Sequence, residues 1–208
     1  EASLWLVRSY IQKKDFNSAE IELLELTSTK RFPEKLELEL AKVSANYYLK
    51  KDEKNSAIKH LSFLDKKIKR KRKKVRYNYI LAQIYQEINM LDEAKIQYKK
   101  VIKSNPEYEM TFNSKMNLAQ SVVFEEKDAE KMRQQLVKMT RDDKNKEYLD
   151  QIYFTLGEMD VNIKDTLSAI ENYTLSTTKS INNDMQKSIS FLSLGKIQFN
   201  KTNYILSK

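Results

Sequence analysis

Residues 78–106 read NYILAQIYQEINMLDEAKIQYKKVIKSNP, and the architecture of the whole chain follows from them. The small residue Ala82 stands directly after a leucine, Tyr85 follows it by three positions, and Ala94 follows it by twelve. Small side chains let two helices approach closely, and the short polar stretch between the two alanines suits a turn. The spacing therefore predicts two antiparallel helices that form a hairpin.

The same pattern recurs along the chain at intervals of 37 or 38 residues. The small or equivalent residue of each unit stands at positions 7, 45, 82, 119, 157 and 195. Twelve residues later comes a second set, which consists of Ala19, Ala57, Ala94, Lys131, Ala169 and Ser207. One hairpin cannot bury its apolar faces alone, so such hairpins stack on their neighbours. The pattern predicts a single array over residues 1–208, with repeats over 1–33, 34–74, 75–107, 108–144 and 145–182 and an incomplete repeat over 183–208.

The composition excludes several classes of protein. Glycine and proline contribute only two residues each among 208, cysteine is absent, and His60 is the one histidine. Tight β-turns and phosphate-binding loops need glycine, while disulfide scaffolds and zinc fingers need cysteine. The sequence also has no nucleophile motif of the Gly-x-Ser-x-Gly kind and no apolar run of the about 20 residues that span a membrane. We therefore expect an all-α protein that is not an enzyme, without catalytic residues, metal site or cofactor.

The net charge of +9 comes from one short segment. Positions 66–76 hold nine basic residues and no acid, whereas the other 29 basic residues balance the 29 acidic residues of the chain. One interpretation is a solvated connection between the second and third repeats. The other is contact with an anionic surface or a nucleic acid through Lys69, Arg70, Lys71, Arg72, Lys73 and Lys74. A nucleic acid is the weaker candidate, because proteins that bind it usually add a broad basic face or stacking aromatic residues.

The pattern resembles the tetratricopeptide repeat family, whose consensus runs W-x2-L-G-x2-Y, followed by A, F, A and P. The matching residues of the third repeat are Asn78, Leu81, Ala82, Tyr85, Ala94, Tyr98, Val101 and Pro106. The family period is about 34 residues, so the repeats of this chain are slightly longer. The resemblance implies a right-handed superhelical solenoid of about six helix-turn-helix repeats.

The same resemblance implies a concave groove that is lined by the first helix of each repeat and binds a protein or peptide. Residues three before and one after each small position face this groove in the family. Carried onto this sequence with neighbouring positions, the candidates are Lys42, Asn46, Arg76, Tyr79, Gln83, Asn113, Met116, Gln120, Gln151, Phe154 and Glu158. Tyr79, Met116 and Phe154 would form an apolar stripe suited to a peptide. The alternative is that these three side chains pack between adjacent first helices.

Three segments carry a second resemblance: residues 4–10, LWLVRSY; residues 105–119, NPEYEMTFNSKMNLA; and residues 143–153, DKNKEYLDQIY. They are similar to the tetratricopeptide lipoprotein family of the type IX secretion and gliding-motility machinery of Bacteroidota (SprE/PorW). That resemblance implies a periplasmic adaptor, associated with the outer membrane through an anchor outside this sequence. Its partners would be other secretion components, with no small-molecule substrate. If the resemblance fails, the alternative is a cytoplasmic tetratricopeptide module of another pathway.

Overall fold

The computed structural model describes residues 1–29, 32–122 and 126–206, and the described residues contain helices, turns and loops but no strand. The α-helices are α1 (Ala2–Gln12), α2 (Phe16–Ser28), α3 (Glu37–Lys50), α4 (Lys54–Lys67), α5 (Lys71–Glu87), α6 (Leu91–Lys103), α7 (Tyr108–Val122), α8 (Glu126–Met139), α9 (Leu149–Asn162), α10 (Thr166–Lys179) and α11 (Asp184–Leu206). Short 3-10 turns, Glu34–Leu36 and Asp143–Tyr148, precede α3 and α9. The all-α prediction is confirmed.

The helices pack in consecutive pairs: α1 with α2, α3 with α4, α5 with α6, and α9 with α10. The chain divides into two compact units, Glu1–Thr111 and Phe112–Lys208. In the described part of the chain, no helix combines the length and apolar character needed to cross a membrane.

Four hairpins turn through the same backbone geometry, which uses no glycine. Residues with φ between 59° and 62° stand seven positions after the small residue of each first helix, and they are Lys14, Asp52, Asn89 and Lys164. The N–H of the following residue donates to the carbonyl five positions earlier, as from Asp15 to Tyr10 at 2.9 Å and from Met90 to Tyr85 at 2.8 Å. This is the Schellman closure of a helix C-terminus. The repeat period therefore places the turns as well as the helices.

Two of the second helices begin at an aspartate. The carboxylates of Asp15 and Asp165 accept hydrogen bonds from the backbone N–H groups of Ser18 at 3.2 Å and Ser168 at 3.1 Å. Hydrogen bonding by these serines lowers the pKa of both carboxyls. Each aspartate thus remains charged at the positive end of the helix dipole and caps its helix.

Each unit has its own core, built from residues at helical spacing. In the first unit, one cluster is formed by Leu4, Val7, Ile11, Ala19, Leu23, Val43 and Tyr47, and another by Ala41, Ala45, Ala57, Leu61, Leu64, Ile68, Leu81 and Ile84. In the second unit, Phe112, Leu136, Ile152, Ala169 and Tyr173 are buried. The alanines of the repeat lie in these cores, where their small size brings paired helices together.

Candidate functional site

In the first unit, the predicted groove residues lie on α3 and α5, the first helices of two successive hairpins. Asn46 and Arg76 are exposed, whereas Tyr79 and Gln83 are half-buried. The Tyr79 ring packs edge-on against Tyr98 of α6, with the ring centroids 6.2 Å apart. Tyr79 therefore contributes partly to its own hairpin, and the polar residues are the more accessible candidates.

Lys42 belongs to a small ion-pair network. Its ammonium lies 2.5 Å from Glu39 Oε1, and the Arg8 guanidinium of α1 lies 2.7 Å from Glu39 Oε2. The hydrogen bond from Lys42, together with that from Arg8, lowers the pKa of Glu39 in spite of its partial burial. The single carboxylate is thus charged and shared between two cations.

In the second unit, the apolar candidates are largely committed to internal packing. Met116 is only 5% exposed, and Thr155 Oγ1 of α9 lies 3.9 Å from its sulfur, so Met116 lies in the core rather than on an open face. The half-buried Phe154 packs against Tyr173 with centroids 5.5 Å apart, and exposed Glu158 accepts a hydrogen bond from the Tyr173 hydroxyl. The amide candidates of this unit are half-buried or exposed: Asn113, Gln120 and Gln151. Met116 thus packs between the first helices α7 and α9, which is the alternative to an exposed apolar stripe.

The basic run 66–76 spans the end of α4, an extended connection and the first turns of α5. Its side chains have different surroundings. The Lys74 ammonium lies 3.1 Å from Asp65 Oδ1, and Arg72 lines a groove beside the α6–α7 connection. Lys71 is exposed, and a separate cleft next to α3 is lined by Lys69, Arg70 and Lys73. The run is therefore divided among at least three environments.

Asp65 is the centre of a network that joins α4, α5 and α6. Asn78 Nδ2 and Lys100 Nζ each lie 2.8 Å from its carboxylate oxygens, and Asn78 also donates to Gln97 at 3.0 Å. Burial raises the pKa of Asp65, but the hydrogen bonds from Lys100, Asn78 and Lys74 outweigh burial and lower this pKa to about 2. Lys74 is thus held by the fold, whereas no carboxylate of the described residues forms an ion pair with the other cations predicted to contact an anion: Lys69, Arg70, Lys71, Arg72 and Lys73.

The cleft next to α3 has a volume of about 640 Å³ and is bounded by α3, the α4–α5 connection and α5; we call it the basic cleft. Its cations are Lys35, Lys42, Lys67, Lys69, Arg70 and Lys73, and its lining contains one acid, Glu39. Leu38, Ile68 and Tyr77 complete the lining; Ile68 belongs to the second core cluster of the unit, and Leu38 and Tyr77 pack against that cluster. The basic cleft therefore joins a charged rim to an apolar floor, and it brings Lys42 together with part of the basic run.

His60 has a structural environment. Its half-buried ring stacks on Tyr48 with the centroids 5.4 Å apart, and burial lowers its pKa. Over residues 1–29, 32–122 and 126–206, no group of three or more histidine, aspartate or glutamate side chains could hold a metal ion.

Comparison with known proteins agrees with this architecture. Residues 75–108, which cover the α5–α6 hairpin after its first residues, match the family model of the tetratricopeptide repeat. The apo form of RapI has a TM-score of 0.63 and 13% identity, and the match covers 99% of this chain and 72% of RapI. This chain has a tetratricopeptide-like fold. NprR, solved in complex with its cognate peptide NprX, has a TM-score of 0.58 and 15% identity, and the match covers 96% of this chain and 60% of NprR.

No curated protein matches the sequence. At 13% and 15% identity, the likeness to RapI and NprR shows the fold alone. This chain spans less than two thirds of the NprR chain.

The tetratricopeptide-like fold also holds a buried carboxylate that the sequence pattern did not single out. Asp160 is 0% exposed, and it accepts hydrogen bonds from Arg133 Nη2 at 3.1 Å and Asn172 Nδ2 at 2.6 Å. It thereby joins α8, α9 and α10. The signal that could have found it is a break in the repeat, since Asp160 stands three residues after the small position, where the first three repeats have Tyr10, Tyr48 and Tyr85.

Proposed function

We propose that this chain is a non-catalytic scaffold that binds a peptide or protein segment without a cofactor. The basic cleft carries the proposal, because it is a concave surface formed by the first helices of two successive hairpins. Its volume of about 640 Å³ lies within the range of about 300–1,000 Å³ that is usual for ligand sites. An apolar floor with a polar rim is the arrangement found at many protein interfaces.

The likeness to NprR supports a peptide as the partner, because that protein was solved with its cognate peptide NprX. The likeness supports a peptide as the class of partner but assigns no role to an individual residue, because the sequence identity to NprR is 15%. On this chain, Asn46 follows Lys42 by one helical turn and therefore lies on the same face of α3. A partner that fills the basic cleft is expected to extend along this face.

A photocrosslinking amino acid at position 46 tests the proposal, and the same residue at position 55 is its control. Both positions are exposed asparagines, but Asn46 lies on α3 beside the basic cleft and Asn55 lies on α4. We expect position 46 to crosslink one reproducible segment of a partner, identified by mass spectrometry, and position 55 to crosslink it much less. Equal crosslinking at the two positions, or none at 46, would argue against binding in the cleft.

We propose, as a finer form of this function, that the partner belongs to the type IX secretion and gliding machinery and that the protein acts in the periplasm at the outer membrane. The support is the similarity of residues 4–10, 105–119 and 143–153 to the adaptor family of that machinery. The alternative is a cytoplasmic module of another pathway.

Deletion of the gene separates the two forms of the proposal. If the finer form is correct, the deletion strain loses export of type IX cargo and surface gliding, and the wild-type gene on a plasmid restores both. Intact export and gliding in the deletion strain would exclude the secretion role and leave peptide binding by the cleft to be judged from crosslinking.

A further inference from the structure

We infer that the basic cleft binds an acidic peptide segment that carries an apolar side chain; this inference rests on the proposed function and names the chemistry of its partner. The lining holds six cations against one acid. That acid, Glu39, is already bound by Arg8 and Lys42. Among the described residues, no carboxylate forms an ion pair with the five remaining cations of the lining, Lys35, Lys67, Lys69, Arg70 and Lys73. The cleft therefore has a positive charge that the described protein does not neutralise.

The position of the cations in the helices points to the same partner. Lys66 and Lys67 lie in the last turn of α4, where the helix dipole favours positive charge. Lys71 and Lys73 lie in the first turn of α5, where the dipole disfavours it, and this turn has neither an acidic residue nor a side-chain cap. The helix dipole of α4 thus accounts for Lys66 and Lys67 but not for the later part of the run. A bound anion would offset the repulsion that the second part creates.

An acidic peptide suits the basic cleft better than a nucleic acid does. The floor of Leu38, Ile68 and Tyr77 offers apolar contact, which a peptide uses through a side chain such as leucine. The positive charge is also local, because the charges of the chain outside residues 66–76 balance. A nucleic-acid site usually needs a basic face that follows the phosphate backbone over a longer distance.

Fluorescence anisotropy with the full chain and two labelled peptides tests the inference. The first peptide has the sequence EDEELEDE, and the second, QNQQLQNQ, has the same length and central leucine without the charges. We expect the acidic peptide to bind at least about tenfold more tightly at low salt and to lose this advantage as salt screens the charges. Equal affinity for both peptides would overturn the inference.

Variants of the chain locate the binding site. The triple variant Lys69→Gln, Arg70→Gln and Lys73→Gln should bind the acidic peptide at least about tenfold more weakly. The control Lys13→Gln, Lys59→Gln and Lys103→Gln removes the same charge from exposed positions that do not line the cleft, and it should lose less than about threefold. Equal losses in the two triple variants would overturn the assignment to the cleft.

A variant that should bind more tightly is also useful, because misfolding, which could explain the weaker binding of the triple variant, cannot explain a gain in affinity. Glu39→Gln deletes the one acid of the lining, frees Arg8 and Lys42, and should strengthen binding of the acidic peptide.

A single-stranded dT10 probe that binds the cleft more tightly than the acidic peptide would overturn the inference in favour of a nucleic acid. Crosslinking at position 46 without any preference for the acidic peptide would also overturn it, while the proposed function would stand.

Discussion

Replacing Gly157 with alanine is expected to lower the free energy of unfolding by about 1–3 kcal/mol. A Cβ atom at this position of α9 would lie 2.7 Å from Tyr173 Cε1 and 2.8 Å from Cδ1. The ring cannot move aside freely, because Tyr173 is 1% exposed and its hydroxyl donates to Glu158. The methyl group would therefore push α9 and α10 apart. Urea unfolding of the full chain, followed by circular dichroism, measures the loss.

Gly195 provides the control, because it occupies the equivalent position of the next repeat. None of the described residues lies within 4 Å of a Cβ built there, apart from its own helix and chain neighbours. Alanine favours a helix over glycine by up to about 1 kcal/mol, so Gly195→Ala should leave stability unchanged or raise it by that amount. Equal losses from both substitutions would contradict the packing argument.

In the Gly157→Ala background, Tyr173→Leu should lower the free energy of unfolding by less than it does in the wild-type chain, because it removes the ring that the new methyl group meets.

Replacing Asp160 with alanine is expected to cost about 2–4 kcal/mol. The carboxylate is fully buried and joins three helices through Arg133 of α8 and Asn172 of α10. Its removal leaves a guanidinium that is only 34% exposed and an amide without their acceptor. The cost lies below that of a fully buried ion pair, because water still reaches Arg133. The same urea titration measures it.

Asp143→Ala is the matched substitution in an exposed ion pair of the same unit. Asp143 lies 3.0 Å from Lys146, and both side chains are more than two-thirds exposed. Such a surface pair contributes about 0–1 kcal/mol, so the control should remain close to wild-type stability. If the two alanine variants lose similar stability, burial does not set the contribution of Asp160.

The helical hairpins can be predicted in detail because they depend on short-range pattern. The register of small residues predicted the helix pairs, and the same period places Lys14, Asp52, Asn89 and Lys164 in left-handed turns. The sequence gives no glycine to mark those turns, since the Schellman hydrogen bonds and the packing of the two helices hold the backbone there. The left-handed conformation of these four residues is visible only in the folded chain.

The candidate site shows where such prediction ends. The resemblance to tetratricopeptide repeats placed Met116 and Tyr79 at equivalent positions of the groove, yet Met116 is 5% exposed and contacts α9, whereas Tyr79 is half-buried. Asp160, buried in the second unit, stands where the first three repeats have tyrosine. Exposure depends on the neighbouring helix as well as on the repeat position, so equivalent positions can differ.

The amino-acid sequence alone therefore establishes paired helices, their period of 37 or 38 residues and a net charge confined to residues 66–76. Only the tertiary structure decides which of those charges remain open to a partner. Lys74 is bound to Asp65, nine positions away, which also binds Lys100 at a separation of 35 positions, whereas Lys69, Arg70 and Lys73 meet Lys42 around one cleft. The reason is physical: an ion pair or an open cleft depends on which helices pack together, and residues far apart in the chain become neighbours only through that packing.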